Sequence, residues 1–310
     1  MSHSINYKKI KAAVSEWNGT ILRPPNRELN GWIAKAVLNH TAGKVLRGRV
    51  HKIMDVYGLM KKKSETKQKL AERDKGNASH RELYQLFNEI IRGQPVDRIK
   101  RAVDDYVRTV APFVEWTVDE HLDENGAYIP KPVDKVDWHL LDALWTLKAG
   151  SIDTLVFSHA YDYSICQVLT EQRRSDTVTS VIANTLKEKN GLAVEMTADI
   201  RESGIGLFKQ KFFDELGLKP DEVLYIGGSK HASALIRKGI LPPANVIAAF
   251  IAPEQRRKEL KELGAFVPPT GYSWAIQHYL YEPELLSMHL AEYERSAAAK
   301  TDPVQAVDNA

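Results

Sequence analysis

Glu16, within Glu16-Trp17-Asn18-Gly19-Thr20, is a carboxylate delivered by the end of a short apolar run, Ile10 to Val14. A carboxylate in such a turn can serve as nucleophile or base, and glutamate can in principle form an acyl phosphate. Asn18 cannot exchange a proton as a general acid or base. Near the other end of the chain, Gly227-Gly228-Ser229-Lys230-His231 leads into a helical pattern. Backbone N–H groups at that start can receive an anion, and Lys230 and His231 make the surroundings less anionic. The Gly-x4-Gly-Lys-Ser/Thr order of a Walker A loop is absent. Other chemistry is poorly supplied. The ten His residues form no His-x3-His or His-Glu-x-x-His pair for a metal. Ser158 and His159 are neighbours in a strand pattern, so they point to opposite faces and do not make a nucleophile pair. Cys166, between Ile165 and Val168 in a helical stretch, reads as a buried, inert thiol.

These residues need elements to hold them. The run Ile10, Ala12, Ala13, Val14 suits a central parallel strand, and Gly19 lets the chain leave it sharply. From Glu28 to about Val118 the pattern is helical, with Gly93-Gln94-Pro95 separating Leu83, Phe87 and Ile91 from Ile99, Val103 and Val107. Pro130 and Pro132 impose extended chain, and Trp138 to Lys148 reads as an amphipathic helix stopped at Gly150. Strands are expected at Ile152–Phe157, Leu192–Met196, up to Ile226, and at Asn245–Ile251. Helices are expected over Tyr163–Gln172, Val178–Glu188, Ile200–Leu216, Ala234–Gly239 and Glu254–Leu263. Alternating strands and helices with a helical insertion after the first strand imply an α/β fold built on a doubly wound parallel sheet. In that architecture ligands sit at the carboxyl ends of the strands, where Glu16, Ser158 and Gly227 to Lys230 would fall.

The 310 residues are 43% hydrophobic and 27% charged with a net charge of +3, as in ordinary globular proteins, and the single cysteine excludes an intrachain disulfide. With no apolar leader and no apolar run of about 18 residues, no membrane partner and a cytoplasmic location are expected. Lys44 to Lys75 holds eleven Lys/Arg against four Asp/Glu. That density suits a solvated helix face; its alternative use is contact with nucleic acid or an acidic partner. Only Tyr57 interleaves aromatically, which weakens base stacking. Tyr272 to Tyr293 is rich in Tyr, Trp, Leu and Met, enough to require burial against the core or across a homo-oligomer or protein contact through residues 271–295. Ser296 to Ala310 reads as a disordered tail.

The turn after the first strand resembles the first motif of the haloacid dehalogenase-like (HAD) superfamily, Asp-x-Asp-Gly-Thr, with Glu16 and Asn18 at its two acidic positions. Leu218-Lys219-Pro220-Asp221-Glu222-Val223-Leu224-Tyr225-Ile226-Gly227-Gly228-Ser229 is similar to the fourth motif, and the stretch from Tyr84 to Val107 resembles the helical cap of the phosphoserine phosphatase-like branch. The resemblance implies a Rossmann-like core of residues 1–24 and 136–270, a cap of residues 25–135 and a C-terminal extension of residues 271–310. It implies that Ser158 stands where the second-motif hydroxyl meets phosphate, and that Lys209 or Lys211 is the third-motif lysine. It further implies that Glu16 and Asn18 stand for nucleophile and general acid/base, with a phosphorylated small molecule as substrate. The two fourth-motif aspartates that help hold Mg²⁺ are Gly228 and Ala232 here. Magnesium is held by carboxylates and waters, so no cofactor is expected. A phosphatase-like hydrolase frame that binds without magnesium-dependent turnover is the expectation; an active hydrolase with a Glu nucleophile is the alternative.

Overall fold

The computed structural model describes residues 9–22, 29–30, 32–37, 80–113, 135–197, 199–249 and 252–268. The basic stretch at 44–75 and the aromatic stretch at 271–295 lie outside them.

Five parallel strands form the central sheet in the order β3-β2-β1-β6-β7. They are β1 (Ala12–Ser15), β2 (Asp153–Tyr161), β3 (Ser180–Asn184), β6 (Val223–Gly227) and β7 (Val246–Ala248), while β4 (Leu186–Lys189) and β5 (Leu192–Met196) make an antiparallel hairpin. The strands of the centre are apolar throughout because both faces are covered. Ala13, Val156, Leu224, Ile226 and Ile247 face one side. There they meet helices α3 (Trp138–Ala149) and α4 (Asp162–Glu171), and the same core extends to α1 (His80–Ile91), which packs on β5, and α2 (Val96–Val110), which packs on α4. Ala12, Val14, Phe157, Val223, Tyr225 and Val246 face the other side. Phe208 of α5 (Asp199–Lys209), Leu235 of α6 (Lys230–Arg237) and Leu260 of α7 (Glu254–Glu262) pack there. The crossovers that the parallel order demands are supplied by these helices.

Three expectations need correction. Val178–Glu188 is not a helix; Ser180–Asn184 is the edge strand β3 and the hairpin starts at Leu186, so β-branched Val181 and Ile182 follow sheet preference. The regular helix expected to run to Leu216 ends at Lys209 and continues as a π-helical turn, Gln210–Glu215. Cys166 is exposed, because α4 buries Ser164, Ile165, Val168 and Leu169 and residue 166 falls outside that stripe.

Of the helices between β1 and β2, α1 and the turn that joins it to α2 are fastened to the hairpin. The Asn88 side chain donates to the Met196 carbonyl at 3.1 Å and accepts from its N–H at 2.8 Å. The turn between α1 and α2 adds three backbone bonds: Gly93 N–H to Ala193, Ala193 N–H to Gln94 and Val96 N–H to Gly191. Asn88→Ala strips two bonds from a strand edge and is expected to cost about 1–3 kcal/mol. Faster amide exchange at residues 192–196, with β1 unchanged, is the readout.

Candidate functional site

Parallel pairing sets β1 and β6 in the register Val14 to Tyr225 and Ser15 to Ile226. Val14 and Glu16 share a face by the period of two, so the Tyr225 side chain arrives next to Glu16. The chain then turns. Gly19, with φ +75, occupies a left-handed conformation that a side chain would strain, and Ile21 and Leu22 donate back to the Trp17 carbonyl at 3.0 and 2.9 Å. The Trp17 side chain is buried in the core, which pins the turn and fixes where β1 delivers Glu16.

Glu16 is 6% exposed and both of its oxygens are occupied. Oε1 accepts from the Tyr225 hydroxyl at 2.8 Å and from the Ser229 hydroxyl; Oε2 accepts from the N–H groups of Gly228 and Ser229, each at 3.1 Å. All four partners are donors, which is the arrangement a carboxylate requires. Ser229 is also the N-cap of α6, accepting from the His231 N–H at 2.9 Å. Glu16 therefore occupies the amides that open α6 and takes the part an external anion would otherwise play. The Tyr225 hydroxyl lies 2.9 Å from His231 Nδ1. Burial, then the Glu16 charge and hydrogen bond, push the Tyr225 hydroxyl far above its ordinary range, so it stays a donor.

The space around this carboxylate is filled. A Cβ on Gly227 would come within 2.7 Å of the Glu16 carboxyl carbon, and one on Gly228 within 2.3 Å of the Ala252 Cβ. Ala232 is wholly buried in the aliphatic and aromatic core on the second face of the sheet. A magnesium site of the family kind does not fit these residues. The two fourth-motif positions hold no oxygen ligand, Gly228 has no room for one, and Glu16 has no unoccupied oxygen. Among the described residues no group of three His, Cys, Asp or Glu could hold a metal ion.

The remaining candidates are scattered around this centre. The Asn18 amide lies 3.4 Å from His159 Nε2. Ser158 is buried, its Oγ accepting from the Ala160 N–H at 3.1 Å, and β2 continues past it to Tyr161 through a register shift. Lys211 is paired with Glu215 at 2.7 Å, and Lys209 is exposed at the end of α5. Lys230 is exposed at the first position of α6. None of these touches Glu16, whose partners are Tyr225, Gly228 and Ser229. Tyr225 and Ala252 are the participants that spacing alone does not single out. Tyr225 reads as one more strand residue until the register of β6 against β1 is known.

No protein-family model matches the chain and no curated protein does. Solved structures do match. A protein of unknown function from Bordetella pertussis Tohama I aligns with a TM-score of 0.53 at 13% identity, over 84% of this chain and 98% of that one. A HAD family hydrolase from Salmonella enterica serovar Typhi aligns at 0.51 and 11% identity, over 89% of this chain and 72% of that one. Cytosolic 5'-nucleotidase IIIB bound to cytidine aligns at 0.50 and 13% identity, over 90% and 88%. Identities this low speak to the path of the backbone.

Proposed function

We propose that this chain, whose fold is that of the haloacid dehalogenase-like hydrolases, works by binding a protein or ligand and does not carry out magnesium-dependent phosphoryl transfer. The observation that carries the reading is the Glu16 carboxylate, held by four donors where the fold would need a free nucleophile facing a metal. A nucleophilic oxygen must reach a phosphorus atom, and each Glu16 oxygen already accepts two hydrogen bonds, from Tyr225, Gly228 and Ser229. The extra methylene of Glu relative to Asp lets the carboxylate reach across to the start of α6. The same reach displaces it by about 1.5 Å from an aspartate's position, and errors near 1 Å can cost about 10²-fold in rate. Asn18 supplies no proton to a leaving group. Fold does not fix function, and here the frame is kept while its centre is used for structure.

Assay with para-nitrophenyl phosphate and phosphoserine in the presence of magnesium is expected to give no turnover above a protein-free control. Magnesium-dependent turnover that disappears in Glu16→Gln would overturn the proposal and favour the Glu-nucleophile hydrolase. The nucleic-acid alternative, through residues 44–75, predicts binding that falls steeply with salt. Absence of a gel shift at about 50 mM salt removes it.

A further inference from the structure

The hydrogen-bond chain that begins at Glu16 ends on a nitrogen with nothing to bond. The single hydroxyl proton of Tyr225 is given to Glu16, so the phenol oxygen must accept from His231, which places the imidazole proton on Nδ1. Nε2 then carries a bare lone pair. It is buried, has no hydrogen-bond partner and faces α5 at Gly204, where a Cβ would lie 3.3 Å from it. The Gly204 backbone favours a charged ring, but in this structure Nε2 makes no hydrogen bond to it. Phe208 is the hub of the packing on this face, against Phe157, Phe212, Phe213 and Tyr225, and the His231 ring stacks on Phe157 at 5.5 Å. Directly after it the helix loses its regular ladder in the π turn Gln210–Glu215.

We propose that His231 is a proton sensor set in the core: a proton at the buried Nε2 finds only the Gly204 backbone, to which it is not hydrogen-bonded while α5 stays seated, so acid releases residues 204–215 from the sheet. Among the described residues, the titratable groups facing the ring are Glu16 at the end of β1 and Tyr225 on β6. Phe157 from β2, Gly204 and Phe208 from α5 and Ser229 bring no charge. Burial holds the imidazole below its ordinary value of 6.5, and the Glu16 charge and the Gly204 backbone offset only part of that. In the released form the ring titrates near 6.5. The seated form is therefore fully favoured above 6.5 and loses ground as pH falls below it, by about tenfold per pH unit until the lower value of the seated ring is reached.

Hydrogen exchange of the full chain between pH 5 and 7.5, corrected for intrinsic rates, tests this without reference to phosphatase activity, and a positive phosphatase assay would leave it untouched. Residues 204–215 are expected to open about tenfold more per pH unit below 6.5, with β1 and β6 unchanged. In His231→Phe, whose ring can keep the stacking on Phe157, the response should vanish. The inference is overturned by pH-independent exchange of 204–215, by an undiminished response in the variant, or by equal acceleration across β1 and β6. Should the variant not fold, nitrogen shifts of His231 in the unmodified protein decide. A neutral Nδ1–H tautomer at pH 7.5 that titrates below 6.5 supports the sensor, and an Nε2–H tautomer or a midpoint above 6.5 contradicts it.

Discussion

Glu16→Gln is expected to destabilise the protein by about 2–5 kcal/mol, a fall in Tm of roughly 3–8 °C for a chain of this size. The substitution keeps the volume, so packing is not the cause. A carboxamide offers one oxygen and one NH₂ group, and four donors converge here: the Tyr225 and Ser229 hydroxyls and the N–H groups of Gly228 and Ser229. Turned with its NH₂ toward the two N–H groups, the amide sets donor against donor; turned the other way, it forces the Tyr225 and Ser229 hydroxyls to stop donating and accept instead, with their protons redirected. Each buried donor left unsatisfied costs about 1–3 kcal/mol. The sign separates two accounts of Glu16. Catalytic groups are commonly held in strained, functionally tuned sites, and replacing them is often neutral or stabilising. A structural carboxylate that ties β1 to the start of α6 gives the opposite sign. Urea denaturation of Glu16→Gln beside the unmodified protein, with m-values compared, provides the number.

Gly228→Asp, which would place a carboxylate where the resemblance puts a magnesium ligand, is expected to be more damaging than Glu16→Gln. Its Cβ would meet the Ala252 Cβ at 2.3 Å, with the Ala252 Cα and the Gly19 carbonyl oxygen each at 3.3 Å. Real side chains do not approach so closely, so the main chain must move, and overpacking alone costs about 1–3 kcal/mol or more. The new carboxylate would also sit beside that of Glu16, adding the cost of a like charge in a buried place. Combining Glu16→Asp, Asn18→Asp, Gly228→Asp and Ala232→Asp should therefore yield an unstable protein and no phosphatase. The steric half of the explanation has its own check. Gly228→Ala should be destabilised and Ala252→Gly should recover part of the loss, with a coupling energy of about 0.5–3 kcal/mol in the double-mutant cycle. Additive effects would show that Ala252 is not what closes the site.

Much of the frame is legible in the residues themselves. The apolar run before Glu16 and the Val223-Leu224-Tyr225-Ile226 run announce two central strands, because strands covered on both faces show no polar alternation. Helices with a strong apolar stripe, such as α2 with Ile99, Val103 and Tyr106, also announce themselves. Short segments do not. Residues 178–188 mix Thr, Val, Ile, Asn and Leu without a decisive period, and it is parallel pairing with β2 that makes 180–184 a strand. The degenerate acidic positions can be read from Glu16, Asn18, Gly228 and Ala232 alone. What fills the centre instead cannot. The contact of Tyr225 with Glu16 depends on register between strands more than 200 residues apart, and the approach of Ala252 to Gly228 depends on how the loop after β7 folds back. Lys209 and Lys211 show the same limit: one ends exposed and the other pairs with Glu215, an i,i+4 choice that their spacing permits but does not select.

The most direct measurement is a thermal-shift titration of the full chain with magnesium and beryllium fluoride together, which mimics a phosphorylated carboxylate only where a free nucleophile faces a bound metal. Ligands that bind the native state raise Tm by mass action, by about 2.7 kcal/mol of stabilisation at a hundred times Kd. With Glu16 held by Tyr225, Gly228 and Ser229 and no ligand at Gly228 or Ala232, the expected shift at millimolar magnesium is zero. A saturable, magnesium-dependent rise in Tm that is lost in Glu16→Gln would contradict the account.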